Sequence, residues 1–169
     1  GIRLSGLDGR TIIAKKRCVK QNDYGFVGDI TKINTQILTD FLDKNYLPVI
    51  SPLAANKNGV ILNINADTIA TKIATALKAE KLILFTNKDG VYDANKKLIS
   101  ILTKNEIKNL IKTKVAKDGM RVKMENCIYA ITNGVKRIHI LNGLSKHSLL
   151  NEVLTKQGVG TMIATIKEK

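Results

Sequence analysis

The sequence predicts an α/β fold with a mainly parallel sheet, and three observations carry that expectation. Short β-prone or apolar runs alternate with helical patterns along the chain, as crossover units require. One run, Lys81–Thr86 (KLILFT), is apolar without interruption, the pattern of a strand buried on both faces of a parallel sheet. The helical segments show apolar residues at helix spacing, with caps at their ends.

In chain order, residues 10–32 read as strands and turns. RTIIAKK is β-prone, and Gly25 and Gly28 punctuate DYGFVGDI as in a hairpin or bulge. Residues 34–44 read as a helix capped by Asn34, with Ile37, Leu38, Phe41 and Leu42 on one face. LPVIS reads as a short buried strand with Pro48 near its start. Residues 65–78 form the clearest helix, with a stripe of Ala66, Ile69, Ala70, Ile73, Ala74 and Leu77. After KLILFT, residues 103–112 open on a capping box, Thr103 with Glu106, ahead of Ile107, Leu110 and Ile111. Residues 120–133 read as a helix with Met120, Met124, Cys127, Ile128 and Ile131 inward and Gly134 just past its end. RIHIL (137–141) is a strand, SKHSLLNEVL a short helix capped by Ser145, and GTMIATI a last strand.

Composition bounds the function. A chain of 169 residues can bury a sizeable core, and its 44% hydrophobic content with mean hydropathy near zero reads as globular. No apolar run is long enough to suggest a membrane span, and GIRLSGLDGR lacks the charged-then-apolar pattern of a signal peptide. Starting on Gly1 without an initiator Met, the chain is expected to be processed or cut from something longer. Twenty-eight basic against 14 acidic residues give a net charge of +14. The lysines are scattered, only 4% of residues are aromatic and Trp is absent, so stacking on single-stranded nucleic acid is disfavoured. A small anionic substrate suits the same field. Cys18 and Cys127 have no partner at metal-ligand spacing, and Cys127 falls on an apolar helix face, as a core thiol in a reducing compartment would.

Three stretches carry chemistry. In NINAD, Asn63 and Asn65 alternate along an extended approach and point the same way, with Asp67 in the first helical turn. Capping explains one Asn; two amides and a carboxylate at a helix start can also bind a substrate carboxylate and hold a lysine. Asn87, Lys88, Asp89 and Gly90 follow KLILFT, where a ligand rim lies in open α/β sheets, although on its own Asn-Lys-Asp-Gly reads first as a turn. In VAKDGMRVK, Gly119 and Met120 open a helix whose first amides suit a phosphate, and Lys123 adds a full charge in about the first turn. On its own that stretch is an ordinary helix start followed by a surface lysine.

Taken together, SGLDGR, DYGFVGDI, LPVISPL, NINADTIATKIATALKAEKLILFTNKDGVY, KDGMRVKMENCIYAITNGVKRIHILNG and HSLLNEVLTKQGVGTMI resemble the acetylglutamate kinases of the amino acid kinase family. They occur in the family's order and span nearly the whole chain. The resemblance implies a three-layer α/β/α sandwich with a mainly parallel central sheet. Residues 1–78 would be the remainder of the substrate-binding lobe and 79–169 the nucleotide-binding lobe. It implies phosphorylation of the side-chain carboxylate of N-acetyl-L-glutamate by ATP with Mg2+, in arginine biosynthesis. Asn63, joined by Asn65, would bind substrate, Asp67 would orient catalytic lysines, and Lys123 would stabilise the transition state. Asn87, Lys88, Asp89, Gly90, Val91 and Tyr92, with Val115, Ala116, Lys117 and Met120, would contact nucleotide. The arginine-sensitive members carry a His, a Glu and a Gly spaced as His139, Glu152 and Gly158 are, so an arginine effector is implied, with Glu152 pairing the guanidinium. The protein would hold no metal site of its own, and would be cytoplasmic, or stromal if organelle-encoded. It would form a homo-oligomer when intact, with a PII-type signalling protein as a further candidate partner and neither nucleic acid nor membrane among its partners.

Two departures stand out. Asn87 occupies a position where the family usually has Asp. The family's opening strand with its Lys-Gly-Gly phosphate loop, a second glycine-rich segment and a substrate-binding arginine are not found in these 169 residues, which corresponds to roughly the first third to two fifths of such a kinase. Three other readings remain beside this one: a sister kinase such as the aminoadipate-type enzyme of lysine synthesis, a non-catalytic nucleotide-binding fragment or half of a split protein, and, most remotely, a nucleic-acid-binding domain.

Overall fold

A computed structural model describes residues 1–19, 22–155 and 158–165. The chain forms two compact units, Gly1–Leu77 and Lys78–Lys169. Among the described residues, no helix is long and apolar enough to cross a membrane.

In the first unit, strand β1 (Ile2–Ser5) pairs in parallel with β4 (Pro48–Ser51). Strands β2 (Ile12–Val19), β3 (Asn22–Ile33), β5 (Leu53–Ala55) and β6 (Ile61–Asn63) close into a small barrel, which the sequence does not announce. The irregularity expected around Gly25 and Gly28 is present. The β2–β3 register slips between Lys16 and Cys18, where Lys16 faces Gly28 while Cys18 faces Asp23. Gly28 is needed there because a side chain would collide with Leu62 and Ile64 at under 3 Å. The core gathers Ile12, Ala14, Ala54, Leu62 and Ile64 from the barrel and Ile69 from helix α2 (Ala66–Ala76).

Three local expectations need correction here. Helix α1 spans Gln36–Asp43 with Thr35 at its N-cap; Asn34 lies one residue further out, accepting from the Gln36 amide at 3.3 Å. Leu42 is exposed rather than part of the packed face. Strand β4 is not buried: Val49 is 57% exposed, and among the described residues β4 is paired only with β1.

The second unit holds a four-stranded sheet in the order β10–β12–β11–β7. Its strands are β7 (Lys81–Thr86), β10 (Ile101–Thr103), β11 (Arg137–Asn142) and β12 (Thr161–Ala164). The β7–β11 and β10–β12 pairs are parallel, and β11–β12 is antiparallel. A two-residue hairpin, β8 (Val91–Tyr92) with β9 (Leu98–Ile99), follows β7. Strand β7 is buried on one face only. Leu82 and Leu84 are inside while Phe85, on the alternate face, is 47% exposed. The last strand covers Thr161–Ala164, and Ile166 of GTMIATI lies outside the described residues.

Helix α3 (Lys104–Lys112) carries the full capping box. Thr103 Oγ1 accepts from the Glu106 amide, and Glu106 Oε2 accepts from the Thr103 amide at 2.7 Å. Helix α4 (Asp118–Thr132) starts two residues earlier than its apolar stripe suggests, and buries Met124, Cys127 and Ile131 as expected. Met120 and Ile128 are only half-buried. Helix α5 covers Ser148–Leu154, and Ser145 does not cap it by its side chain. His147, at the N-cap, sits in the left-handed region (φ 58°) without a side-chain cap bond.

Candidate active site

The approach to α2 shows the alternation that NINAD predicts. Leu62 and Ile64 are buried, while Asn63 and Asn65 stand exposed on the other side. The two amides then differ. Asn65 is the N-cap, its Oδ1 accepting from the Thr68 amide at 3.0 Å and from Thr68 Oγ1 at 3.2 Å. Asn63 ends β6, in register with Leu53 and Val27. Asp67, half-buried, lies in the first turn of α2.

Lys123 is the least ordinary residue of the second unit. It stands in the second turn of α4, not the first, and it is buried at 6% exposure instead of lying on the surface. Its Nζ donates to the Phe85 carbonyl at 2.9 Å, at the carboxyl end of β7. Burying an ammonium is costly without partners, so its packing against that strand end is a specific arrangement. That bond brings the second turn of α4 to the carboxyl end of β7. Val115 is half-buried, Ala116 buried and Lys117 exposed. Lys117 is the α4 N-cap and makes no side-chain cap bond, so its own side chain leaves the first amides of the helix unpaired.

The loop after β7 is tightly held. Asn87, Lys88 and Asp89 are exposed, Gly90 and Val91 buried, and Tyr92 half-buried. Gly90 adopts φ +154°, and a Cβ there would lie 2.6 Å from Thr161 Oγ1, so only glycine fits without rearrangement. The Val91 amide donates to Thr161 Oγ1 at 2.8 Å, and that hydroxyl donates on to the Ile99 carbonyl at 2.6 Å. Asp89 accepts from Asn142 Nδ2 at 2.8 Å and from the Tyr92 hydroxyl at 2.9 Å. Those bonds, that from Asn142 foremost, hold the Asp89 carboxyl below its usual range. The Tyr92 phenol is raised above its usual value, chiefly by donating to Asp89. Sequence reasoning misses Asn142 and Thr161. The signal for Asn142 is its place at the end of the strand RIHILN, just before Gly143; Thr161 has no local signal.

The structure also gathers His139, Glu152 and Gly158. His139 Nδ1 and Glu152 Oε1 are 2.5 Å apart, and Glu152 Oε2 accepts from the Val159 amide at 2.7 Å. Gly158 (φ +59°) lies against the same carboxylate. Both Glu152 oxygens therefore already have partners within the chain. A cavity of about 620 Å³ adjoins them, lined by Glu152, Gly158, Val159, Gly160 and Met162 among others.

The amino acid kinase family profile matches residues 1–142. An acetylglutamate kinase from Halothermothrix orenii is 47% identical over 173 residues, covering 99% of this chain and 59% of its own. The chain thus spans about three fifths of the length of the curated relatives it matches. Among solved structures, N-acetylglutamate synthase from Neisseria gonorrhoeae, complexed with coenzyme A and L-arginine, aligns with a TM-score of 0.86 at 30% identity. That alignment covers 96% of this chain and 37% of the synthase. Carbamate kinase from Giardia lamblia bound to AMP-PNP aligns with a TM-score of 0.64 at 20% identity, over 93% of this chain and 53% of that one, which shows a shared fold. By the family profile, the order of its motifs and this shared α/β fold, the chain belongs to the amino acid kinase family.

Proposed function

We propose that this chain is the larger part of an acetylglutamate kinase, in which ATP with Mg2+ phosphorylates the side-chain carboxylate of N-acetyl-L-glutamate. The observation that carries the reading is Lys123, buried in the second turn of α4 with its ammonium on the Phe85 carbonyl near the end of β7. Phosphoryl transfer asks for positioning and for positive charge where negative charge develops. Lys123 supplies a preorganised charge, and the first amides of α4, which the Lys117 side chain does not cap, would supply partial charge. The exposed part of the rim, Asn87 to Asp89 with Lys117, would receive the nucleotide. Gly90 and Val91 would act by fixing that loop, since both are buried.

In this reading residues 79–169 are the nucleotide lobe and 1–78 carry the end of the substrate lobe. Asn63 offers its amide to the acylated substrate, while Asn65 serves mainly as the α2 cap. Asp67 orients lysine ammonium groups. Mg2+ would arrive on the phosphates of the nucleotide. L-Arginine would lodge at His139, Glu152 and Gly158, where the adjoining cavity supports an effector site. Arginine at millimolar concentration should lower the rate of the active enzyme, and an unchanged rate would contradict the effector site.

The direct test traps acyl phosphate with hydroxylamine from ATP and N-acetylglutamate. The 169-residue chain is assayed alone and mixed with a separately made segment matching the remaining part of the Halothermothrix orenii relative. Product that depends on N-acetylglutamate is expected on mixing. Little is expected from the chain alone, because only one end of the phosphate chain meets a preorganised lysine within these residues. Robust turnover by the chain alone would show that the second clamp lies inside it. Absence of product in the mixture, or preference for an acylated aminoadipate, would contradict the proposed substrate.

A further inference from the structure

We propose that Asn142 is a positioning residue for the loop after β7, acting through Asp89 to set how well that loop holds a nucleotide. The inference rests on the nucleotide reading of the loop and names a residue outside it. Asn142 closes β11 in parallel register with Thr86, the last residue of β7. Its two amide atoms do different things. Oδ1 accepts from the Leu144 amide at 2.8 Å and fixes the side chain. Nδ2 donates to Asp89 Oδ1 at 2.8 Å, across 53 residues of sequence. The other Asp89 oxygen takes the Tyr92 hydroxyl. Beside this side-chain bridge, the Gly143 amide donates to the Thr86 carbonyl at 2.8 Å, so β11 grips the loop at its root and at its middle.

The consequence is a division of labour among the exposed residues. With both oxygens engaged inside the loop, Asp89 works as an internal buckle, leaving Asn87, Lys88 and the backbone to face a ligand. Asn142 must be a donor on its Asp89 side and an acceptor on its Leu144 side, and an asparagine amide meets both needs at once.

The chemistry yields a sharp test. N142D retains the acceptor for Leu144 but sets two carboxylates face to face. D89N/N142D reverses donor and acceptor, restores the bridge and has the net charge of the original chain. ATP affinity of the 169-residue chain is measured by calorimetry for the original, the single variant and the reversed pair. N142D should bind ATP about 10-fold more weakly, as for loss of a hydrogen bond to a charged group. Affinity should recover as pH falls and one of the facing carboxylates is protonated. D89N/N142D should return to within about twofold of the original at neutral pH, since it remakes the same bond. Thermal unfolding of each variant checks that the fold persists. Unchanged affinity in N142D, or a reversed pair as weak as N142D, would overturn the role of Asn142. Failure of the original chain to bind ATP would instead contradict the nucleotide reading on which it rests.

Discussion

Lys123, buried in the second turn of α4, donates from Nζ to the Phe85 carbonyl at 2.9 Å. Its place in VAKDGMRVK suggests a solvated lysine. Yet its ammonium reaches the Phe85 carbonyl, 38 positions earlier, which only the packing of α4 on the sheet brings near. In the active enzyme, Lys123→Ala should lower turnover on the order of 10²-fold or more, the effect of losing a preorganised charge. Lys123→Met, which retains an unbranched stem, should fall as far; activity in either variant near that of the original would remove Lys123 from the mechanism. Gly90 is a second residue whose role is set by its surroundings. Gly90→Ala would push a methyl group into Thr161 and should cost about 1–3 kcal/mol of stability, read by urea unfolding of the chain. A change near zero would show that the loop accommodates a side chain.

Among elements, the helices were the most legible. The stripe and cap of α2, the capping box of α3 and the buried side of α4 are local patterns, and each appears close to where the spacing puts it. The short strands were not. β1, β8, β9 and β10 have two to four residues each, too few for periodicity to register. The barrel of β2, β3, β6 and β5 depends on pairing between distant segments, which no window of sequence contains. The same holds for the site. NINAD and the loop after β7 stood out, whereas Asn142 and Thr161 matter through register and sheet order. Thr161 belongs to this scale because it ties three strands together: its Oγ1 on β12 accepts from Val91 on β8 and donates to Ile99 on β9. Thr161→Val keeps the shape and removes both bonds, leaving a buried amide unpaired. It should destabilise the chain by about 1–3 kcal/mol in urea unfolding. Stability equal to that of the original would mean that water or a shift of the hairpin replaces the hydroxyl.

For the whole molecule, the pH behaviour of the loop follows from the shifted groups. Asp89, with its pKa depressed, contributes stability that is present above the unfolded carboxylate range and is lost as pH falls through its folded value. Tyr92, with its pKa raised, contributes below its unfolded value and loses that contribution as pH rises through the folded one. The buckle is therefore intact across the neutral range where a kinase of this family would work. A net charge of +14 spread over the chain adds a favourable field for anions, so ATP affinity should also weaken with salt. In the proposed function, ATP is held on the loop after β7 and the start of α4. Hydrogen exchange of the 169-residue chain, with and without ATP and Mg2+, tests it most directly. Nucleotide-dependent protection concentrated in residues 87–92 and 115–123 is the expected result; protection elsewhere with both segments unchanged would contradict it.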